Sequence, residues 1–133
     1  MTIETLETVW APRLLSVLRI VAALLFFEHG ATKLLGFPSS DHSGVAFLSL
    51  PWVAGLIELV GGALLIPGIF TRPVAFILSG EMAFAYWMVH AQQSAFPVVN
   101  GGDAAILYCF VFLYLAAAGG GPWSLDALWR GRT

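Results

Sequence analysis

The apolar positions of the chain gather into four long runs, at about residues 14–35, 51–70, 73–91 and 103–119. Each is close to the roughly 20 residues that carry a helix across the hydrocarbon core of a bilayer. The polar breaks agree with that division. "GFPSS", "TRP", "FPVVNGG" and "AGGGP" fall between or after the runs, and each contains the glycine or proline that ends regular structure. Pro51 opens the second run at a first-turn position that a helix tolerates. The pattern predicts an all-α integral membrane protein, a single domain over residues 1–133 built as a four-transmembrane-helix bundle. Both ends read as short interfacial helices. Ile3, Leu6, Val9 and Trp10 recur at helical spacing before the first run. After the fourth, Ser124 can cap a helix that carries Asp126 in its first turn, with Trp123 and Trp129 suited to the headgroup region.

Composition strengthens the membrane reading. Of the 133 residues, 59% are hydrophobic and 11% charged, against about a quarter charged in soluble domains, so the chain lacks the polar residues to cover a water-facing surface. A net charge of −2 argues against a nucleic-acid partner. Cys109 is the one cysteine, set in an apolar run, so there is no disulfide framework and no Cys-based metal site. It reads as a small apolar residue. The opening "MTIETLETVWAP" has Glu4 and Glu7 where a signal peptide has basic residues.

Charge also gives a direction. Arg13 precedes the first run, Arg72 lies in the short second connection, and Arg130 and Arg132 follow the fourth run. Residues 37–50 and 92–102 contain no Lys or Arg. The positive-inside rule then places both termini in the cytoplasm and the two longer connections outside.

Seven ionisable residues interrupt the runs: Arg19, Glu28, His29, Lys33, Glu58, Glu81 and His90. Each costs about 2.5–3.5 kcal/mol at mid-membrane if charged and unpaired, so each is kept for pairing or for function. With the middle of each run at the bilayer centre, a rise of 1.5 Å per residue puts Glu28 about 5 Å outward, Glu58 about 4 Å outward and Glu81 within about 2 Å of the centre. Three carboxylates from three helices therefore fall in one layer, with His29 at the same level. Lys33 and His90 lie nearer the outer surface and Arg19 on the cytoplasmic side. Carboxylates this close cannot all be ionised cheaply, which makes the layer a candidate proton-exchanging site. The Glu28–His29–Lys33 group is expected to meet Glu58 and Glu81 across the bundle, a cation beside the acids offsetting part of the burial cost. The alternative is a hydrogen-bonded lock that fixes helix register. At about 100° per residue, Arg19, Phe26, His29 or Gly30, and Lys33 share one face, and Glu28 points nearly opposite to Arg19. Either some of these residues snorkel, as Lys33 and His90 can, or a second chain covers the other face. Gly55, Glu58 and Gly62 share a stripe that lets another helix approach the carboxylate. His29 and His90 differ in depth by about 5 Å, and no HExxH spacing exists, so neither a haem nor a metal site is expected. Tyr86, Trp87, Tyr108 and Tyr114 can line a flat-ring pocket or serve as packing and belt residues.

The segments "RIVAALLFFEHGATKLLG", "ELVGGALLIPGIFTR", "AYWMVH", "GDAAILY" and "GGGPWSLD", in this order, resemble the DoxX family over about Arg19 to Asp126. Asp103 stands where that family often has Glu. The resemblance implies a multi-pass protein of the bacterial cytoplasmic (inner) membrane that works beside oxidoreductases, some relatives being subunits of a thiosulfate:quinone oxidoreductase and others partners in thiol and oxidative-stress defence. It raises quinone as a ligand. On that reading Glu28, Glu58 and Glu81 exchange protons, His29 and Lys33 bind carbonyl oxygens, and Arg19, Tyr86 and His90 complete the ligand-binding set. With no dithiol and no cofactor motif, electrons come from a partner or a soluble reductant. A second reading is a non-catalytic membrane anchor or assembly partner, and a third a small proton-coupled carrier. In each case the expected partners are the lipid bilayer and either a second copy or another membrane or redox protein.

Overall fold

The computed structural model describes residues 1–131. Among them every regular element is helical: α1 (Ile3–Leu35), α2 (Leu50–Leu65), α3 (Thr71–Ala85), α4 (Pro97–Asn100), α5 (Asp103–Ala118) and α6 (Leu125–Arg130). Arg132, counted in the charge asymmetry, lies outside the described residues. α1 is long and apolar enough to cross a membrane, while α2 and α5 are shorter apolar helices.

The helix ends follow local chemistry. α1 stops at Gly36, which adopts the left-handed conformation at φ 69° that glycine enters without strain. α2 is capped by the Ser49 side chain, which accepts from the Trp52 amide, with Pro51 in the first turn. It ends at Leu65, short of the expected 70, because Pro67 and Gly68 break it. α3 continues past Ala85 through a wide turn, Tyr86–His90, closed by the Ala91 amide on the Tyr86 carbonyl. Ser124 caps α6 by accepting from Ala127, as its sequence position suggests.

One expectation is corrected at the amino end. The segment around Trp10 is not a separate surface helix but the first turns of α1. Pro12 has no amide hydrogen and should interrupt the ladder. The turn Leu6–Trp10 widens to π-helical geometry, with the Ala11 amide reaching the Leu6 carbonyl, and so the helix passes through the proline without ending.

α1 packs along α2, and α3 along α5, while α2 and α3 join the two pairs. The α1–α2 contact is close because glycines line it. A Cβ on Gly30 would sit 2.5 Å from the Leu59 amide nitrogen, and one on Gly62 would sit 2.8 Å from Phe27 Cβ. The glycine stripe beside Glu58 thus receives α1. Gly61 faces the other way, against Leu78 of α3. α1 and α5 approach less closely than these pairs, and large rings fill the space between them: Phe26 lies edge-on to Phe112 at 4.9 Å and tilted against Tyr108 at 5.3 Å. Ala23, Leu65, Ala75, Leu78 and Leu115 complete the core. The exterior is apolar, with Leu24, Leu25, Phe76, Ile77, Leu107 and Phe110 all exposed, as suits a surface in contact with lipid.

Candidate functional site

Polar groups collect in three places. The first is the contact of α1 with α2. Lys33 leaves α1 one turn beyond Gly30, and its ammonium lies 2.7 and 2.8 Å from the two oxygens of Glu58. Glu58 is 3% exposed, and the bare backbones of Gly30 and Gly55 let the helices come close enough for the pair to form. Glu81 of α3 is near enough to interact electrostatically with both Glu58 and Lys33. Both of its carboxylate oxygens are enclosed, yet neither has a hydrogen-bond partner. Tyr108 of α5 completes the group. Its ring packs on Phe26, Phe112 and His29, and it is within electrostatic reach of Glu28 and Glu58. Sequence alone left Tyr108 open between lining a flat-ring pocket and packing.

Glu28 and His29 are placed differently from Lys33. Both are exposed on the flank of α1, and Glu28 has no hydrogen-bond or ion-pair partner among the described residues. His29 meets Tyr108 edge-on at 6.1 Å. Of the expected cluster, Lys33, Glu58 and Glu81 come together inside the fold, while Glu28 and His29 stay at its rim.

The second place is the end of the molecule where α1, the α2–α3 turn and the tail converge. Arg19 is fully buried. One terminal nitrogen donates to the Gly120 carbonyl, and the other donates to the Trp123 carbonyl at 2.8 Å and the Ile66 carbonyl at 3.4 Å. Ser16, one turn earlier, accepts from the Trp123 amide at 3.1 Å. Asp126 reaches back from α6 and accepts from the amides of Phe70 and Thr71 at 2.9 and 2.8 Å. It thereby caps α3, whose own N-cap residue Phe70 offers no side-chain acceptor. Partial burial works to raise the Asp126 carboxyl, but hydrogen bonds from Thr71 and Phe70 and the charge of Arg130 outweigh it and hold the group below its ordinary value. Arg72 donates to the carbonyls of Ala116 and Ala117 at the carboxyl end of α5, where a cation suits the helix dipole. Sequence reading placed Asp126 against its own helix and did not single out Ser16.

The third place is the far end of α3. His90 Nδ1 lies 3.0 Å from the Asn100 carbonyl, and the Asn100 amide nitrogen donates to Tyr86 Oη at 3.3 Å and to the Ser94 carbonyl at 2.9 Å. The Tyr86 and His90 rings stack at 6.5 Å. These contacts tie α4 to the wide turn after α3. Asn100, 4% exposed and central to the network, gave no signal beyond lying in a break.

Among the described residues no three His, Cys, Asp or Glu side chains are grouped to hold a metal ion. Clefts open on the surface formed by the described residues, and two of them bear on the candidate sites. One, of about 350 Å³, lies at the amino end of α3 between Arg72, Asp126 and Trp129. The other, of about 330 Å³, is an apolar groove between α2 and α3. Neither is lined by Lys33, Glu58 or Glu81.

Comparison with known proteins places the chain. The family model named DoxX matches residues 14–91. A protein of Haemophilus influenzae, described as an uncharacterized protein, is 47% identical over 122 residues, covering 88% of this chain and 91% of its own. A second protein of the same organism, with the same description, is 32% identical over 123 residues, covering 86% of this chain and 82% of its own. No solved structure matches. The match of the family model across both helices that carry the Lys33–Glu58 pair, with the apolar helices around it, makes this chain a membrane protein of the DoxX family.

Proposed function

We propose that the protein is a four-span subunit of the bacterial cytoplasmic membrane, with both termini inside, and that its Lys33–Glu58–Glu81 centre binds the head of a quinone for a partner oxidoreductase. The observation that carries this reading is the Glu81 carboxylate, enclosed with no hydrogen-bond partner beside a complete ion pair. A polar group left unbonded in an apolar interior costs about 1–3 kcal/mol, and more when charged. A residue kept only to fix helix register would have found partners, as Asp126 does and as both terminal nitrogens of Arg19 do. Held as the neutral acid, Glu81 has one O–H to donate, and a carbonyl oxygen arriving from the lipid phase is a fitting acceptor. Lys33 brings positive charge to the same place, with Glu58 balancing it when no ligand is present. The Tyr108 hydroxyl supplies a further donor. The wide α1–α5 interface, filled by rings and not by close backbone, is the side from which a flat ring system could enter.

A quinone supplies an acceptor for electrons and protons; this chain's part is to bind, orient and hold a proton at Glu81. Electrons come from a partner. The direction in the membrane follows from the arginines: Arg19, Arg72 and the tail carrying Arg130 meet at one end of the fold. The competing reading is a non-catalytic anchor.

The two separate in one experiment. Thermal stability of the purified protein is measured in mild detergent with and without a short-chain quinone. The quinone reading expects a ligand-dependent rise in Tm for wild type and none for Glu81→Leu, which has no donor and, since Glu81 makes no hydrogen bond within the fold, keeps a basal Tm near wild type. No rise for wild type at saturating quinone leaves the anchor reading.

A further inference from the structure

α1 carries a feature that the polar centre does not use. Leu14, Leu18, Val21, Leu25 and Glu28 recur at spacings of four and three, the repeat that forms a seam between two helices. All five are exposed, Leu25 by 49%. Exposed leucines carry no message in a bilayer, since lipid tails are as apolar as they are. Glu28 does. It lies seven residues, about 10 Å, inside the carboxyl end of α1 and has no hydrogen-bond or ion-pair partner among the described residues. His29 follows it on one flank of the seam, held by its contact with Tyr108 and exposed in turn.

We infer that this seam is the contact between two copies of the chain, with α1 of each packed in parallel about a two-fold axis and Glu28 of each copy meeting His29 of the other. The chemistry favours a second copy over an unrelated protein. A two-fold interface is self-complementary, so whatever a copy presents it also receives. Glu28 and His29 are neighbours in sequence and lie at one depth, so two such helices side by side at equal height bring carboxylate to imidazole twice. In a parallel pair each seam residue packs into a hole formed by the facing helix, within reach of the residue that follows its counterpart. An unrelated helix would need its own hydrogen-bond donor at this level, whereas a second copy always brings the His29 imidazole.

Cross-linking in native membranes tests this. In a Cys109→Ser background, Leu25→Cys places a thiol on the seam and Phe76→Cys places one on the exposed face of α3. Oxidative cross-linking is expected to give a band of twice the chain mass for Leu25→Cys and none for Phe76→Cys. Adding Glu28→Lys is expected to lower the yield about tenfold, the loss of two polar contacts of the strength usual between membrane helices. Adding His29→Glu to it restores the yield. Glu28→Gln, nearly the same in shape, guards against misfolding and is expected to lower the yield as well. The inference is overturned by a Leu25→Cys yield no higher than the control, by cross-linking to a different protein, or by yields that ignore the charge at position 28.

Discussion

Arg19 and Glu81 are both buried polar groups in apolar helices, and the fold treats them in opposite ways. The Arg19 guanidinium is surrounded by carbonyls of Ile66, Gly120 and Trp123, drawn from two distant segments. Glu81 is enclosed with both oxygens unbonded. A planar, permanently charged fork is well suited to gathering carbonyls, which is why arginine serves at the first site. A carboxyl group can lose its charge by taking a proton, which is why an acid can persist at the second. The contrast separates a polar group that holds the fold together from one that keeps its bonding capacity unspent.

The comparison is broken most strongly at Arg19. Arg19→Met leaves the three carbonyls without donors, and about 3 kcal/mol or more of stability is expected to be lost. The check is the Tm of purified variants, with Arg19→Lys recovering only part because a point charge cannot fork. Next comes Gly30→Ala. Its new Cβ would lie 2.5 Å from Leu59 N and 2.7 Å from Gly55 O, so α1 and α2 must separate, at about 2 kcal/mol. Since Lys33–Glu58 spans the same contact, this variant is also expected to weaken quinone-dependent stabilisation.

Asp126→Asn should cost about 1 kcal/mol, the usual worth of a helix cap. Its pH dependence has a definite sign. The Asp126 carboxyl is held below its ordinary value in the folded protein, so its contribution is complete above the ordinary carboxylate range. It drains away as the pH falls through that range to the lower folded value. Acid titration of Tm should therefore fall less steeply for Asp126→Asn than for wild type. The smallest effect is expected at the opposite pole: Glu81→Gln removes no existing bond and should leave Tm nearly unchanged without ligand. A large loss there would make Glu81 structural and erase the contrast.

Much of this was legible in the sequence, for physical reasons that differ by residue. The stripe of Gly55, Glu58 and Gly62 follows from helical period alone, and α1 does approach there. Lys33 was placed near the outer surface, free to snorkel. A long flexible stem let it turn back to Glu58, one of the two acids it was also expected to meet, a choice that depends on where α2 stands and not on spacing. Glu28 and His29 were grouped with the interior by depth; helical angle already set Glu28 opposite Arg19, and with Arg19 buried it is Glu28 that stays outside, but which flank of α1 its neighbours leave open at His29 was not readable from spacing. The cap on α3 was invisible because Asp126 lies 55 positions from Thr71, beyond any local capping rule. Ser124 was readable because it caps its own helix.

The arrangement around Arg19 also sets an order of events during synthesis. Gly120, which accepts from its guanidinium, is made 101 residues later. At about 5–20 residues per second the ribosome needs some 5–20 s to cover that distance. Throughout that interval the arginine is unmatched by those carbonyls, and the amino end of α3 waits for a carboxylate not yet translated. The helices can form one by one, but the joint that ties them closes only when the segment around Ser124 emerges.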